Sequence, residues 1–264
     1  DPVNSLVLGG FVVTVVLVLW VNMSLYGPDY PETMVLVTAA GLSLSVLGLL
    51  PYFGYLFGFF SPSNVIGRVQ RQAARTIRKA TCPGASVERQ REKVIGNVEH
   101  LADMILIANK NDESALAVPA IEALSELVRA QLELKRDLPE SWFEVEFMAE
   151  TDRDFVTLDS EMMGSLSGRR TWLEAKILRG YQTAFFRGLH SAPDLNHLIS
   201  IHTHRIACAA LRAGDRPVLR LALRFLTPDL SRSITVRDMR AAQNVLAEFR
   251  HFACEVLLEV GEFE

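Results

Sequence analysis

Two stretches decide the fold: Ser5–Tyr26, SLVLGGFVVTVVLVLWVNMSLY, and Met34–Phe60, MVLVTAAGLSLSVLGLLPYFGYLFGFF. Between Ser5 and Phe60 only Asp29 and Glu32 carry charge. About 20 apolar residues in a helix cross a bilayer core, so each stretch is long enough to span. The backbone of a lipid-embedded segment must satisfy its own hydrogen bonds, which overrides the weak helix propensity of the many valines in the first run. Trp20 and Tyr26 stand toward one end of that run, and the aromatic PYFGYLFGFF closes the second, as interfacial belts do. The second run exceeds what a bilayer needs, which predicts tilt, with a bend at Pro51. The first run has no basic leader and no small-residue cleavage site, and a second apolar run follows at once, so it reads as a span rather than a signal peptide.

The sequence therefore predicts a transmembrane hairpin over residues 1–60, joined by the short acidic turn Gly27–Thr33. Arg68, Arg71, Arg75, Arg78 and Lys79 follow the second run closely, and the turn has no Lys or Arg. The positive-inside rule then places the turn outside and both ends of the hairpin in the cytoplasm. These five basic residues also suit anionic lipid headgroups. Neither run carries an ionisable residue, which argues against an ion-coupled carrier. Thr38, Gly41, Ser45 and Gly48 form one small, weakly polar stripe, and Gly10, Thr14 and Asn22 form another. Such stripes are helix-packing faces, or the lining of a pore if several subunits assemble.

Beyond the hairpin the pattern is all-α. Residues 61–82 form a basic amphipathic connecting helix, with Val65, Val69, Ala73 and Ile77 on its apolar side. Residues 83–264 form a cytoplasmic multi-helix domain. Helical spacing predicts helices over Ser86–Asn109, from the Asn111–Ser114 turn to Arg136, over Arg169–His190, over Leu195–Ala213 capped by Asp194, from Asp215 to Phe225, and over Val236–Val260 after a turn at Thr227-Pro228-Asp229. Val94, Val98, Leu101 and Ile105 should face inward, as should Ile121, Leu124, Leu127, Val128 and Leu132, and Ala242, Val245, Phe249, Phe252 and Val256. The alternating SWFEVEF and DFVTLD leave room for one short β element around 141–160. The acidic residues of that stretch fit no calcium-loop pattern.

Composition narrows the chemistry. The formal net charge of −4 gives no case for a nucleic-acid partner. Three scattered cysteines form no disulfide framework. No phosphate loop, nucleophile elbow or HExxH motif occurs, and no cofactor is expected. The single histidine concentration holds His190, His197, His202 and His204. Of these, His197 and His204 lie one heptad apart with Cys208 at i+4, the one arrangement that suggests a transition-metal face. The arginines around Arg169–Arg170 and Arg212–Arg220 read as helix ends and ion pairs, without a nucleotide fingerprint.

The order of features resembles an uncharacterised family of predicted bacterial membrane proteins with a conserved domain of unknown function. The resemblance is carried by SPSNVIGRVQRQAARTI (Ser61–Ile77), ESALAVPAIEALSEL (Glu113–Leu127) and RDMRAAQNVLAEFRHFA (Arg237–Ala253), the second lacking the Asn-Asp-Pro-like residues of the pattern. It implies a multi-pass protein of the bacterial inner membrane and supplies no activity. The functional expectation is a non-enzymatic protein: a homo-oligomeric channel or pore assembled or gated by the helical domain, or a non-conducting membrane-anchored scaffold, sensor or subunit of a larger membrane complex. The partners expected are the bilayer, its anionic headgroups, and further copies or other membrane subunits.

Overall fold

Hydrophobic periodicity builds a bundle of antiparallel neighbours. The structure, a computed structural model, describes residues 62–111, 113–144 and 160–261 and six positions nearer the N-terminus, Val15, Val16, Val18, Trp20, Ala40 and Ser43, all six helical. The hairpin, its orientation, and Thr14, Asn22, Thr38, Gly41, Ser45 and Gly48 lie outside the described residues. Among the described residues no helix is long and apolar enough to cross a membrane. The chain divides into two compact units, 1–64 and 65–264.

The elements are α1 (Pro62–Ala80), α2 (Val87–Asn111), α3 (Ser114–Leu134), a 3-10 turn (Glu140–Trp142), α4 (Ser160–Gly168), α5 (Trp172–Gly188), α6 (Pro193–Arg212), α7 (Arg216–Thr235) and α8 (Met239–Gly261). The inward stripes of α2 and α3 are buried as the spacing requires, and so are Ala73 and Ile77 of α1, joined there by Ile66. On α8, Ala242, Val245 and Phe252 are buried, while Phe249 and Val256 are half-buried. Helix α5 is central: it packs against α2, α3, α4, α6 and α7. Every residue from Trp172 to Leu178 is buried, polar ones included, as befits a helix enclosed on all sides. Helix α6 packs on α3, α5, α7 and α8.

Three expectations are corrected. First, the turn expected at Thr227-Pro228-Asp229 is the interior of α7, which runs on to Thr235. A proline inside a helix costs roughly 3 kcal/mol. The burial of Leu226 before the proline offsets part of that cost, and Ser233 Oγ donates to the Asp229 carbonyl at 2.7 Å just after it, so the segment stays helical. Second, residues 141–144, where the short β element left open for 141–160 would begin, form a 3-10 turn and its end rather than a strand. Trp142 and Phe143 are adjacent and both buried, which breaks a period-two pattern. The Trp142 ring lies 5.5 Å from that of Trp172, and its Nε1 donates to Gln131 Oε1 at 3.2 Å. Residues 145–159 lie outside the described residues. Third, α5 begins at Trp172 and α8 at Met239, later than the periodicity suggests, because Arg170 and Arg237 take left-handed backbone angles (φ 56° and 61°) that break the chain direction. Arg170 lies 4.2 Å over the Phe143 ring and donates to the Leu138 carbonyl at 3.0 Å, which holds that turn.

Helix ends are fixed by side chains. Asp215 caps α7 as expected, its Oδ1 accepting from Val218 N at 3.0 Å. Asp194 does not cap α6: it sits in the first turn and accepts instead from Arg240 at 2.8 Å. Asp238 takes the capping role for α8, accepting from Ala241 N at 3.0 Å and from His190 N at 2.8 Å, so one carboxylate joins two turns. Lys135, just past α3, places its ammonium 2.6 Å from Asp215 Oδ2 and 3.6 Å from Glu174 Oε1 in the first turn of α5. Glu174 is wholly buried. Burial raises its carboxyl pKa, and the Lys135 charge opposes that rise.

Removing one partner of a buried ion pair leaves an uncompensated charge, which costs about 3–5 kcal/mol. Lys135→Met should therefore destabilise the protein by that amount in urea unfolding followed by far-UV circular dichroism. Adding Glu174→Gln to it should restore part of the loss, whereas a Lys135→Met cost below about 1 kcal/mol would refute the role given to this link.

Candidate anion-binding pocket

Two helix faces and one helix end form a cleft of about 370 Å³. Thr171, Ala175, Arg179 and Gln182 recur along one side of α5, and Pro217, Arg220, Leu221, Arg224, Phe225 and Pro228 along one side of α7, both at helical spacing. Ser165, Leu166 and Arg169, at the end of α4, complete the wall. The floor is apolar, and four guanidinium groups border it. Among the described residues none of Arg169, Arg179, Arg220 or Arg224 has an ion-pair partner, and no carboxylate lines the cleft.

Four like charges around a small concavity repel one another, and a multiply charged anion relieves that repulsion. Guanidinium presents a planar fork that pairs bidentately with phosphate or carboxylate. The volume falls in the range of small-molecule sites, roughly 300–1,000 Å³, and an apolar floor with convergent polar groups is their usual make-up. The phenyl ring of Phe225 offers a surface for an apolar or aromatic moiety beside the anion.

Behind this wall lies Asp229, which is 2% exposed. Burial pushes its carboxyl up to about 7, against a hydrogen bond from Gln182, a pocket residue. Its Oδ1 has no hydrogen-bond partner among the described residues. Below pH 7 the carboxyl is neutral.

His197, His204 and Cys208, which the sequence offers as candidate metal ligands though no metal is expected from it, do not come together as a set. His204 and Cys208 are buried on α6, where α8 packs, whereas His197 is exposed. Seven residues of helix separate His197 from His204 by about 10 Å along the axis, too far to share one ion. The third neighbour comes instead from α8: a donor atom each of His204, Cys208 and Glu255 lie within 4.8 Å of one another. His202 is buried, and burial together with Arg205 lowers its pKa to about 4, so it is neutral at physiological pH. His190 stands at φ 66° and its Nε2 meets the Val236 carbonyl at 3.0 Å, a turn-bracing role.

Arg68, Arg71, Arg75, Arg78 and Lys79 are all exposed on α1. The arginines read as helix ends divide in two. Arg170 and Arg212 pair with Glu140 and Glu255, both at 3.7 Å, while Arg169 and Arg220 border the cleft. Arg179 and Arg224 were not singled out in the sequence, and the facing of α5 and α7 was not legible there, since it depends on how the two helices meet.

The raised pKa of Asp229 fixes a sign for stability. The unfolded carboxyl ionises near 3.8 and the folded one near 7, so the folded state holds the proton more tightly. Stability is greatest below about pH 4, falls as pH rises toward 7, and stays low above it, by up to roughly 4 kcal/mol. Asp229→Asn should flatten this part of the profile and gain stability at pH 8 relative to the parent chain. Parallel pH profiles in chemical denaturation would contradict the assignment.

No family model, no curated protein and no solved structure matches this chain.

Proposed function

We propose that this protein is a membrane-anchored sensor or regulatory subunit whose helical domain takes up a phosphate-bearing small molecule between α5 and α7. The observation that carries this reading is the set of four arginines, without ion-pair partners among the described residues, around an apolar-floored cleft. In this reading the anchor is the pair of apolar runs Ser5–Tyr26 and Met34–Phe60 in a bacterial inner membrane, with the domain on the cytoplasmic side, an orientation that the basic residues following the second run support. The exposed Arg68, Arg71, Arg75, Arg78 and Lys79 suit anionic headgroups. The reading assigns no catalytic residue: the cleft binds, and its occupancy acts on whatever the anchor or its neighbours do.

A second reading is a homo-oligomeric passive pore, favoured by the small, weakly polar residues Thr14, Asn22, Thr38, Gly41, Ser45 and Gly48 and by the absence of charge in both runs. In that case the cleft is the gating site and the runs of several subunits line the path. Flux into liposomes carrying the purified protein distinguishes the two, since the sensor alone conducts nothing.

Isothermal titration calorimetry of the full chain with ADP and with inorganic pyrophosphate tests the binding claim. ADP should bind more tightly than pyrophosphate because it also covers the apolar floor. Charge-assisted hydrogen bonds contribute about 1.5–3 kcal/mol each, so Arg220→Ala with Arg224→Ala should weaken ADP by at least about tenfold while thermal stability holds. Affinity should also fall with added salt. Equal binding by parent and double variant, or none by either probe, would refute the proposal.

A further inference from the structure

Away from the cleft, α6 and α8 enclose a second cluster of chemically active side chains. We infer that His204, Cys208 and Glu255 form a binding site for a borderline-soft divalent transition metal of the zinc class, with Glu248 as the positioning residue for His204 and one coordination position left for water. The three candidate donor atoms lie within 4.8 Å of one another. His204 Nε2 and Glu255 Oε1 are 3.8 Å apart. In a tetrahedral zinc site with Zn–N and Zn–O near 2.0–2.2 Å, neighbouring donors stand roughly 3.4 Å apart, so the histidine–glutamate pair is within a few tenths of an ångström of its bonded separation, and side-chain rotation of the partly exposed Glu255 and of Cys208 would bring in the thiol.

The imidazole is prepared for a ligand. Its Nδ1 is 2.7 Å from Glu248 Oε2 and donates to that carboxylate, which leaves Nε2 as the ring atom available to a ligand. His204 is 9% exposed, and Nε2 is buried without a hydrogen-bond partner among the described residues. A buried nitrogen lone pair with no donor costs free energy, and a bound cation removes that cost. Carboxylate, then imidazole, then metal is the arrangement by which proteins orient a histidine ligand. Glu255 is held from its other oxygen by Arg212, 3.7 Å from Oε2, which leaves Oε1 toward the histidine. His251, on the rim, has Nδ1 3.7 Å from the second oxygen of Glu248.

The donor types choose the metal class. A thiolate and an imidazole select zinc-like ions over magnesium and calcium, which prefer all-oxygen shells. Cys208 is 4% exposed, and Glu255 supplies the partly exposed side through which an ion enters. Two ligands sit one turn apart on α6 and the third on α8, so the ion would cross-link the last helix to the bundle.

Cobalt(II) is the probe, added to full-length protein first stripped with EDTA. The expected result is one equivalent bound, with the charge-transfer absorption of a cobalt–thiolate bond that zinc then displaces. Cys208→Ser should abolish that band, and Glu255→Gln, a partly exposed position where misfolding is not expected, should lower affinity by at least about tenfold. Glu248→Gln keeps the three ligands and should weaken binding about 10–100-fold without removing the band, as loss of a supporting carboxylate does. His197→Ala should change nothing. No band in the parent chain, a band that survives Cys208→Ser, or unchanged affinity in Glu255→Gln would overturn the inference.

Discussion

The ammonium of Lys135 is the constraint on which the arrangement of the helical domain depends. It follows the C-terminal end of α3, faces the buried Glu174 in the first turn of α5, and pairs with Asp215, the capping residue of α7. Three helix ends are thereby tied to one charge. Lys135 and Asp215 are themselves mostly buried, so Coulomb attraction there is strong, and each group would be costly without the others. A link of this kind adds less net stability than its geometry suggests, because desolvation opposes the attraction. Its effect is to exclude arrangements in which α5 and α7 begin at other positions.

That alignment has consequences for both walls of the cleft. Thr171 and Ala175 flank Glu174 on α5, while Pro217 and Arg220 follow within two turns of Asp215 on α7. Because Asp215 uses one carboxylate oxygen for Lys135 and the other for the Val218 amide, the start of α7 is fixed in position as well as in direction. The arginines then stand on facing helices at set heights. Among the described residues they have no acidic partner, whereas Lys176 meets Glu99 at 3.0 Å and Arg240 meets Asp194 at 2.8 Å.

Much of the helical domain was legible in the sequence, and the reasons for the remainder are physical. The 3.6-residue period gave α2, α3 and the inward face of α8, because apolar residues recur there at helical spacing over several turns and are buried. Local chemistry misled where tertiary burial outweighed it. Pro228 signalled a turn, but Leu226 is buried before it, Ser233 Oγ donates to the Asp229 carbonyl after it, and the helix continues. Arg170 and Arg237 adopt left-handed backbone that the sequence does not announce, so the starts of α5 and α8 were placed early. Short-range alternation around Trp142 imitated a strand, whereas both aromatics turn inward. Of the candidate sites, His204 and Cys208 were visible as an i, i+4 pair on one helix. Glu248 and Glu255 lie more than forty residues away and join only through the packing of α6 on α8. His197 matched the heptad but stands a helical length too far. The arginine cleft was not foreseen: Arg169 and Arg220 read as helix ends and ion pairs, and Arg179 and Arg224 were not singled out.

The most direct test of the central claim, that the aligned faces of α5 and α7 form an anion site, is hydrogen–deuterium exchange of the full chain with and without saturating ADP. Protection should concentrate in 171–182 and 217–228 and should be lost in Lys135→Met even where the helices remain folded. Protection confined to other helices, or exchange that ADP leaves unchanged throughout, would contradict the account.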